Sequence, residues 1–400
     1  MKNQEMISCS YLTDNKDLMK SALSLKIQLE KSNYSQLSTL QRRQLGAFMG
    51  TIVGDALGAP FEFMEFTKSK MLPGKVYSFP ETKKQYQQTF QSEQVVDCCP
   101  KTCQNFNLGF GALAGMWTDD SCQMLCLAEV LAFYKTVNGC QLHWAIDDWW
   151  KHGFCTAHSS DLLKMQQKLS GGEVGSFGRG MTTKQSMHWF YDQNLQREDE
   201  LQSCYTESGD DKTDGNGALM RNGVTFLIKD LDGAIKAAEQ QAKTTHKGTA
   251  QTLCCMLHTF VGWSYVNQQN LTADFVDLEV FKQLLANDEI PEVFQNVLDS
   301  EGKYNWKSPD WDLSQENARG CVGGYAVDCI ALALHYLYHS KRLEDLATRG
   351  GDADTNAAVF GCLFGAKFGI EGFRENWLRA VLRFDEFGLV CARFLALSGK

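Results

Sequence analysis

The sequence predicts an all-α fold, a large bundle of helices, and three observations carry that prediction. Four of the six prolines, Pro60, Pro73, Pro80 and Pro100, fall between residues 60 and 100, and none occurs from Lys101 to Ile290. Proline inside a helix removes a hydrogen bond and clashes with the turn before it, so the proline-free stretch can run as helix after helix. Alternating strand patterns are scarce, and apolar residues recur instead at three- and four-residue steps. Glycines also recur every fourth residue, at Gly46, Gly50, Gly54 and Gly58 and again at Gly361, Gly365 and Gly369. That spacing puts each set on one helix face, where close backbone approach offsets the ~1 kcal/mol that each glycine costs relative to alanine.

The elements follow in order. Residues 1–40 read as an N-terminal amphipathic extension with Leu18, Leu25 and Leu29 on one face, ahead of a main domain over 41–400. The first glycine-ladder helix must end near Pro60, which leaves Glu62 at its exit. An excursion over about 64–116 holds the clustered prolines, a polar run from Thr82 to Gln94, and Cys98, Cys99 and Cys103. No second CxxC or histidine pair at ligand spacing accompanies those cysteines, so zinc is not expected there. Asp120 to Lys135 carries Met124, Leu127, Leu131 and Tyr134 at helical steps, and Gly217 to Lys229 and Gly233 to Lys243 also read as helices. A second excursion spans about 267–320, with Pro291, Pro309, Trp306 and Trp311. Ala326 to Tyr338 is apolar on nearly every side, as befits a helix at the centre of a bundle.

Composition bounds the function. With 44% hydrophobic and 22% charged residues, the chain of 400 can bury a sizeable core, which excludes a largely disordered or fibrous protein. A net charge of −9 gives no electrostatic reason to expect nucleic acid as a partner. No window reaches the ~18 uninterrupted apolar residues of a membrane span. The segment Met1 to Leu12 lacks a basic stretch followed by an apolar core, so no standard secretion signal is expected. Fifteen cysteines in a chain of this size are expected as reduced thiols in a cytoplasmic, reducing compartment, although export without a standard signal is compatible with the sequence. Among them, Cys122, Cys254 and Cys255 lie on apolar helices and are expected to pack. His143, His152, His158 and His188 sit at no ligand spacing and are expected as core or surface histidines. No GxSxG or GxxxxGK[ST] motif occurs, which removes the commonest sequence arguments for a serine esterase or a P-loop nucleotidase.

Three acidic constellations adjoin predicted helix ends: Gly54-Asp55 through Glu62, Trp117-Thr118-Asp119-Asp120-Ser121, and Gly350-Gly351-Asp352-Ala353-Asp354-Thr355-Asn356. Each of the last two, taken singly, reads as a helix N-cap. Together they offer two sets of paired carboxylates with a threonine hydroxyl, an all-oxygen donor set matched to hard cations such as magnesium or manganese. Facing each other across a bundle, they could hold two metals ~4 Å apart.

With Gly215-Asn216-Gly217-Ala218-Leu219-Met220-Arg221 and Thr245-His246 between them, these motifs occur in an order that resembles the ADP-ribosylglycohydrolases, the group named for the dinitrogenase reductase-activating glycohydrolase. The resemblance runs from about Gln41 to the C-terminal region. It implies a single large orthogonal helix bundle with a central site for two Mg2+ ions, for which Mn2+ can substitute. Thr118, Asp119, Asp120, Asp352, Asp354 and Thr355 resemble the metal ligands; Glu62 resembles the glutamate beside the metals, and Asp55 reads as structural. Asp119 or Asp120 is expected to organise the attacking water, with Glu62 the alternative base. Asn216 and Gly217 belong to a loop that resembles the one next to substrate, and His246 resembles a residue near the ribose. Independently of the resemblance, the glycine-rich run from Gly175 to Thr183, with Gly178, Arg179, Gly180 and Thr182, suits a diphosphate cradle.

The expected function is therefore hydrolysis of ADP-ribose from modified protein side chains, foremost ADP-ribosylarginine, releasing ADP-ribose. Serine-linked or O-acetyl ADP-ribose, a catalytically silent ADP-ribose-binding protein and a two-metal phosphate-ester hydrolase are the alternatives.

Overall fold

The structure, a computed structural model, describes residues 10–62, 115–157, 176, 178–199, 203–208, 214–272, 275–285, 289–316 and 321–399. Most of the first excursion, with Cys98, Cys99 and Cys103, lies outside the described residues, as do His158 and Gly175. The described residues form fifteen α-helices with short 3-10 turns and two isolated β-bridges, and no strand. In chain order the helices are α1 (Ser10–Thr13), α2 (Lys16–Glu30), α3 (Thr39–Gly58), α4 (Asp119–Tyr134), α5 (Gly139–His152), α6 (Met181–Asp192), α7 (Leu231–Thr245), α8 (Thr249–Asn267), α9 (Leu278–Leu284), α10 (Glu292–Asp299), α11 (Ala326–Tyr338), α12 (Leu343–Ala347), α13 (Ala353–Phe368), α14 (Glu375–Leu382) and α15 (Leu389–Ser398). The all-α expectation holds. None of these helices is long and apolar enough to cross a membrane.

The two glycine ladders meet. Helix α3 starts from a capping box at Ser38, whose hydroxyl accepts from Gln41 N at 3.2 Å while the Gln41 side chain accepts from Ser38 N at 2.9 Å. From Leu45 to Gly58 every residue of α3 is buried. It lies antiparallel against α13: a Cβ built on Gly46 would fall 2.5 Å from the Gly365 carbonyl oxygen, on Gly50 2.1 Å from that of Gly361, and on Gly54 2.0 Å from that of Ala357. No methyl group fits between these backbones. The pair is the axis of the fold, and α8, α11 and α4 pack around it. As expected, α11 is buried on nearly every side.

Of the predicted N-terminal face, Leu25 and Leu29 are buried and Leu18 is half-buried, and α2 packs against α14 and α15. The second excursion contains α9 and α10 and closes on Trp306, which donates to Val297 O at 2.7 Å and packs against the rings of Phe275 and Tyr338. His143 is buried, with its ring nitrogens 2.9 Å from Gly139 O and 3.1 Å from Ser186 Oγ, whereas His152 and His188 are exposed. Cys122, Cys254 and Cys255 are buried free thiols within apolar helices.

One expected helix does not form. Gly217 to Lys229 folds as a series of tight turns followed by a 3-10 segment, Asn222–Leu227. Its glycines weaken helix propensity, and a buried polar network takes over. Asn222 donates to Cys255 O and Thr259 Oγ1 at 2.9 and 2.8 Å, and Arg221 is wholly buried among amide and hydroxyl oxygens. These bonds run to α8 and α7, so tertiary partners outweigh local preference.

Candidate active site where two helix N-termini meet

Asp55 organises the site from the middle of the hydrophobic axis. Its carboxylate accepts from Thr118 N and Ser121 N, each at 3.0 Å, and from Thr118 Oγ1 and Ser121 Oγ at 2.8 and 2.6 Å. Ser121 N is one of the free amides at the start of α4, so Asp55 caps that helix from another segment of the chain. Thr118, the N-cap residue by position, makes no cap bond of its own. Its hydroxyl turns instead into the cluster of carboxylates, and the bland reading of Thr-Asp-Asp as a self-capping helix start does not hold.

The start of α13 supplies the opposite wall. Asp55, Asp120 and Asp354 each place a carboxylate oxygen within 4.8 Å of the others, and Glu62, Asp352 and Asp354 form a second such triad. Asp354 belongs to both. Thr355 is buried beside these carboxylates, and its hydroxyl lowers the Asp120 and Asp352 carboxyls against the effect of burial. Both α4 and α13 aim their N-termini at this cluster, and the positive ends of the helix dipoles favour the negative charge.

That help is incomplete, and the chemistry of the donors shows what is missing. Thr118 Oγ1 lies 2.8 Å from Asp55 Oδ1, 3.1 Å from Asp120 Oδ2 and 3.4 Å from Asp354 Oδ2, yet a hydroxyl has one hydrogen to give. Asp120 Oδ1 is buried without a hydrogen-bond partner. Burial drives the carboxyls of Asp119, Asp120 and Asp354 well above the usual range, and their acidic neighbours push them further. Burial also raises Glu62 to about 8, with Asp352 and Asp55 adding to the effect, and raises Asp55 to about 6 against the pull of Ser121 and Thr118. Buried like charges of this kind need a cation, and an all-oxygen set selects a hard one. The residues fit a divalent metal.

A pH dependence follows. Each carboxyl that holds a proton in the metal-free protein must release it to bind a cation, so apparent affinity for Mn2+ rises between about pH 6 and pH 8, with proton release measurable by calorimetry in buffers of different ionisation enthalpy. The stability sign is opposite. Glu62 titrates above its ordinary 4.5, so its contribution to metal-free stability is full below that value and is lost as pH rises through about 8. Affinity independent of pH, with no proton released, contradicts the assignment.

The other expected site residues distribute around this cluster. Asn216 donates to Asp352 Oδ2 at 2.6 Å and so orients a carboxylate. Gly217 and Gly215 pass beside the His246 ring, and Thr182 lies near Gly215. Asp119 is in neither triad; its carboxylate lies against Gly178. The Arg179 guanidinium stacks over the Trp150 ring at 4.1 Å. Sequence reasoning missed two features. Asp55 is a member of a carboxylate triad as well as a cap, and the segment Val322–Gly324 braces the site by accepting Asp352 N and Asn216 N, each at 2.9 Å. The paired Gly323-Gly324 just before α11 was the available signal for the second.

Gly178 and Gly180 make different demands. Both have φ in the left-handed region, at +83° and +69°, but a Cβ on Gly178 would fall 2.4 Å from Asp119 Oδ1, whereas nothing lies within 4 Å of one on Gly180. Gly178→Ala is expected to displace Asp119 and lower turnover at least ~10-fold, while Gly180→Ala, at ψ 153°, carries only backbone strain of about 1–3 kcal/mol, read from urea unfolding. Equal effects on turnover contradict this.

The motif order, the all-α bundle and the double carboxylate triad agree with one further finding: the sequence pattern described as ADP-ribosylglycohydrolase matches residues 36–399. The chain belongs to the ADP-ribosylglycohydrolase family. Curated relatives of this glycohydrolase include two proteins named ADP-ribosylarginine hydrolase Tri1. The one from Pseudomonas putida is 23% identical over 345 residues, covering 85% of this chain and 74% of that protein. The one from Serratia proteamaculans is 22% identical over 339 residues, covering 83% and 73%. Among solved structures, the glycohydrolase is similar to one described as an ADP-ribosylglycohydrolase-related protein complex, with a TM-score of 0.56, 22% identity, and coverage of 90% of this chain and 100% of that one. At that identity the likeness shows a shared fold.

Proposed function

We propose that this glycohydrolase cleaves ADP-ribose from modified arginine side chains of proteins and that it depends on two divalent cations, Mg2+ or Mn2+. The single observation that carries metal dependence is the pair of carboxylate triads sharing Asp354. Asp55, Asp120 and Asp354 would face one cation, and Glu62, Asp352 and Asp354 the other, with Thr118 and Thr355 beside them. When bound, the metals supply positive charge that fixes the ribose hydroxyls and steadies a cleft of carboxylates. The names of the Pseudomonas putida and Serratia proteamaculans relatives support the arginine linkage.

The chain's own residues account for the remaining steps. The bond from the anomeric carbon to the guanidine nitrogen breaks with its electron pair passing to nitrogen, and the ribose ring develops oxocarbenium character. Water adds to the anomeric carbon, and its proton is delivered to the departing guanidine. In this reading Asp119, half-buried and outside both triads, orients that water or takes its proton, and Glu62 at the exit of α3 is the second group able to hold one. Asn216 keeps Asp352 in place.

The test presents arginine-, serine- and ester-linked ADP-ribose on matched carriers with magnesium and follows free ADP-ribose. Arginine-linked substrate is expected to be cleaved with kcat/KM at least ~10-fold above the serine-linked form, the value of one charge-assisted contact to the guanidinium. Equal or reversed preference overturns the arginine linkage and leaves the glycohydrolase class intact; full turnover in excess chelator overturns the metals.

A further inference from the structure

His246 ends α7 with a buried side chain, and the hydrogen bonds behind it run in one direction. Arg221 has donors and no acceptor. Its Nη2 donates to Thr245 Oγ1 at 2.6 Å and to Gln241 O at 2.8 Å, and its Nε donates to Gln241 Oε1 at 2.8 Å. The Gln241 amide is oriented as well, because its nitrogen donates to Ala218 O and Asn222 Oδ1 at 3.1 and 3.0 Å. Thr245 Oγ1 therefore accepts from Arg221, and its own hydrogen is left for its other partner, His246 Nδ1, at 2.8 Å. An accepting Nδ1 places the ring proton on Nε2.

That second nitrogen lies beside the loop that carries Asn216. It lies 3.3 Å from a Cβ built on Gly217 and 3.9 Å from one built on Gly215, the two residues flanking Asn216, which holds Asp352. No hydrogen bond occupies Nε2 among the described residues, and neither flanking glycine carries a side chain to cover it. An N–H fixed in this way recognises an oxygen acceptor.

We propose that Arg221 and Thr245 are positioning residues: they set His246, which the family resemblance already assigns to the ribose portion of the substrate, as an Nε2–H donor and not an acceptor toward an oxygen of that ligand, on its terminal ribose or its diphosphate. His246 is then a neutral binding group and not a general base. Burial, followed by the Arg221 charge, holds its imidazole down to about 3, which agrees with the neutral ring. The identity of the ligand rests on the proposed function; the tautomer does not.

The full-length chain, labelled with 15N-histidine, tests both halves. Long-range 1H–15N correlations, with the His246 signals assigned by their loss in His246→Gln, are expected to show the Nε2–H pattern; an Nδ1–H pattern overturns the relay, and this readout needs no variant of Thr245 to fold. Thr245→Val removes the hydroxyl and is expected to weaken ADP-ribose binding about tenfold and to mix the tautomers, whereas Thr245→Ser restores both to within about twofold. Native affinity in Thr245→Val, or a serine variant as weak as the valine one, overturns the positioning role. ADP alone separates the two sources of oxygen: a similar loss with ADP assigns the diphosphate, and a loss confined to ADP-ribose assigns the terminal ribose. Wild-type protein that binds no ADP-ribose overturns the functional reading and the ligand half of the proposal together, while the tautomer result still decides the relay.

Discussion

Asp354→Asn lowers the release of ADP-ribose by at least ~100-fold and leaves the helical fold in place, the largest catalytic effect expected of any single polar substitution in this protein. The reason is position. Asp354 is the one carboxylate common to both triads, so its loss weakens both of the proposed cation sites at once. The change is nearly isosteric, and the amide oxygen can still accept the bond that Thr355 N gives Asp354 Oδ1 at 2.9 Å. Stability moves the other way in the absence of metal. Glu62, Asp120 and Asp352 lie close enough to raise the Asp354 carboxyl, and an uncharged side chain relieves that repulsion. In excess chelator the variant should therefore melt at or above the wild-type temperature, while the gain in Tm that Mn2+ confers on the wild type should largely disappear. Native turnover, or an undiminished Mn2+ gain, would remove Asp354 from the shared position assigned to it.

Gly54→Ala destabilises the fold by about 4 kcal/mol or more, an exceptional loss for one methyl group. The added Cβ would lie 2.0 Å from the Ala357 carbonyl oxygen and 2.5 Å from its carbon. Both are backbone atoms, so no side-chain rotation relieves the clash, and the helix would have to move away from its partner. The same close approach at Gly46, Gly50, Gly361 and Gly365 means that such a movement opens the whole interface between α3 and α13. Asp55 is the next residue, so the displacement also reaches the cap of α4 and the first carboxylate triad. Urea unfolding measures the loss, with Gly180→Ala as the contrast, since that site has open space around its Cβ position. A loss below about 1 kcal/mol in Gly54→Ala would mean that the ladder does not set the helix separation.

The helical class, the two ladder faces, the course of α4 and α11 and the ordered acidic motifs were all legible in the sequence, because each depends on residues within a few positions of one another. Proline placement, glycine spacing and apolar periodicity act over one or two helical turns, and the five motifs needed only their order to point to the family. What the sequence left open depends on contacts between distant segments. The ladders become partners only when Gly50 meets Gly361 and Gly54 meets Ala357. Asp55 becomes a cap through residues 63 and 66 positions away, and Asn216 finds Asp352 across 136.

The same cause explains the two departures. Thr118-Asp119-Asp120 reads locally as a self-capping helix start, but Asp55 takes over the cap and turns Thr118 into the carboxylate cluster. Gly217 to Lys229 reads locally as a helix, but Arg221 and Asn222 find buried partners on α7 and α8 that a continuous helix would not place. Local spacing determined which helices form and which carboxylates are available. Tertiary structure decided which of those carboxylates share a site and which nitrogen of His246 carries its proton, because hydrogen-bond direction and charge repulsion are set by neighbours that only folding brings together.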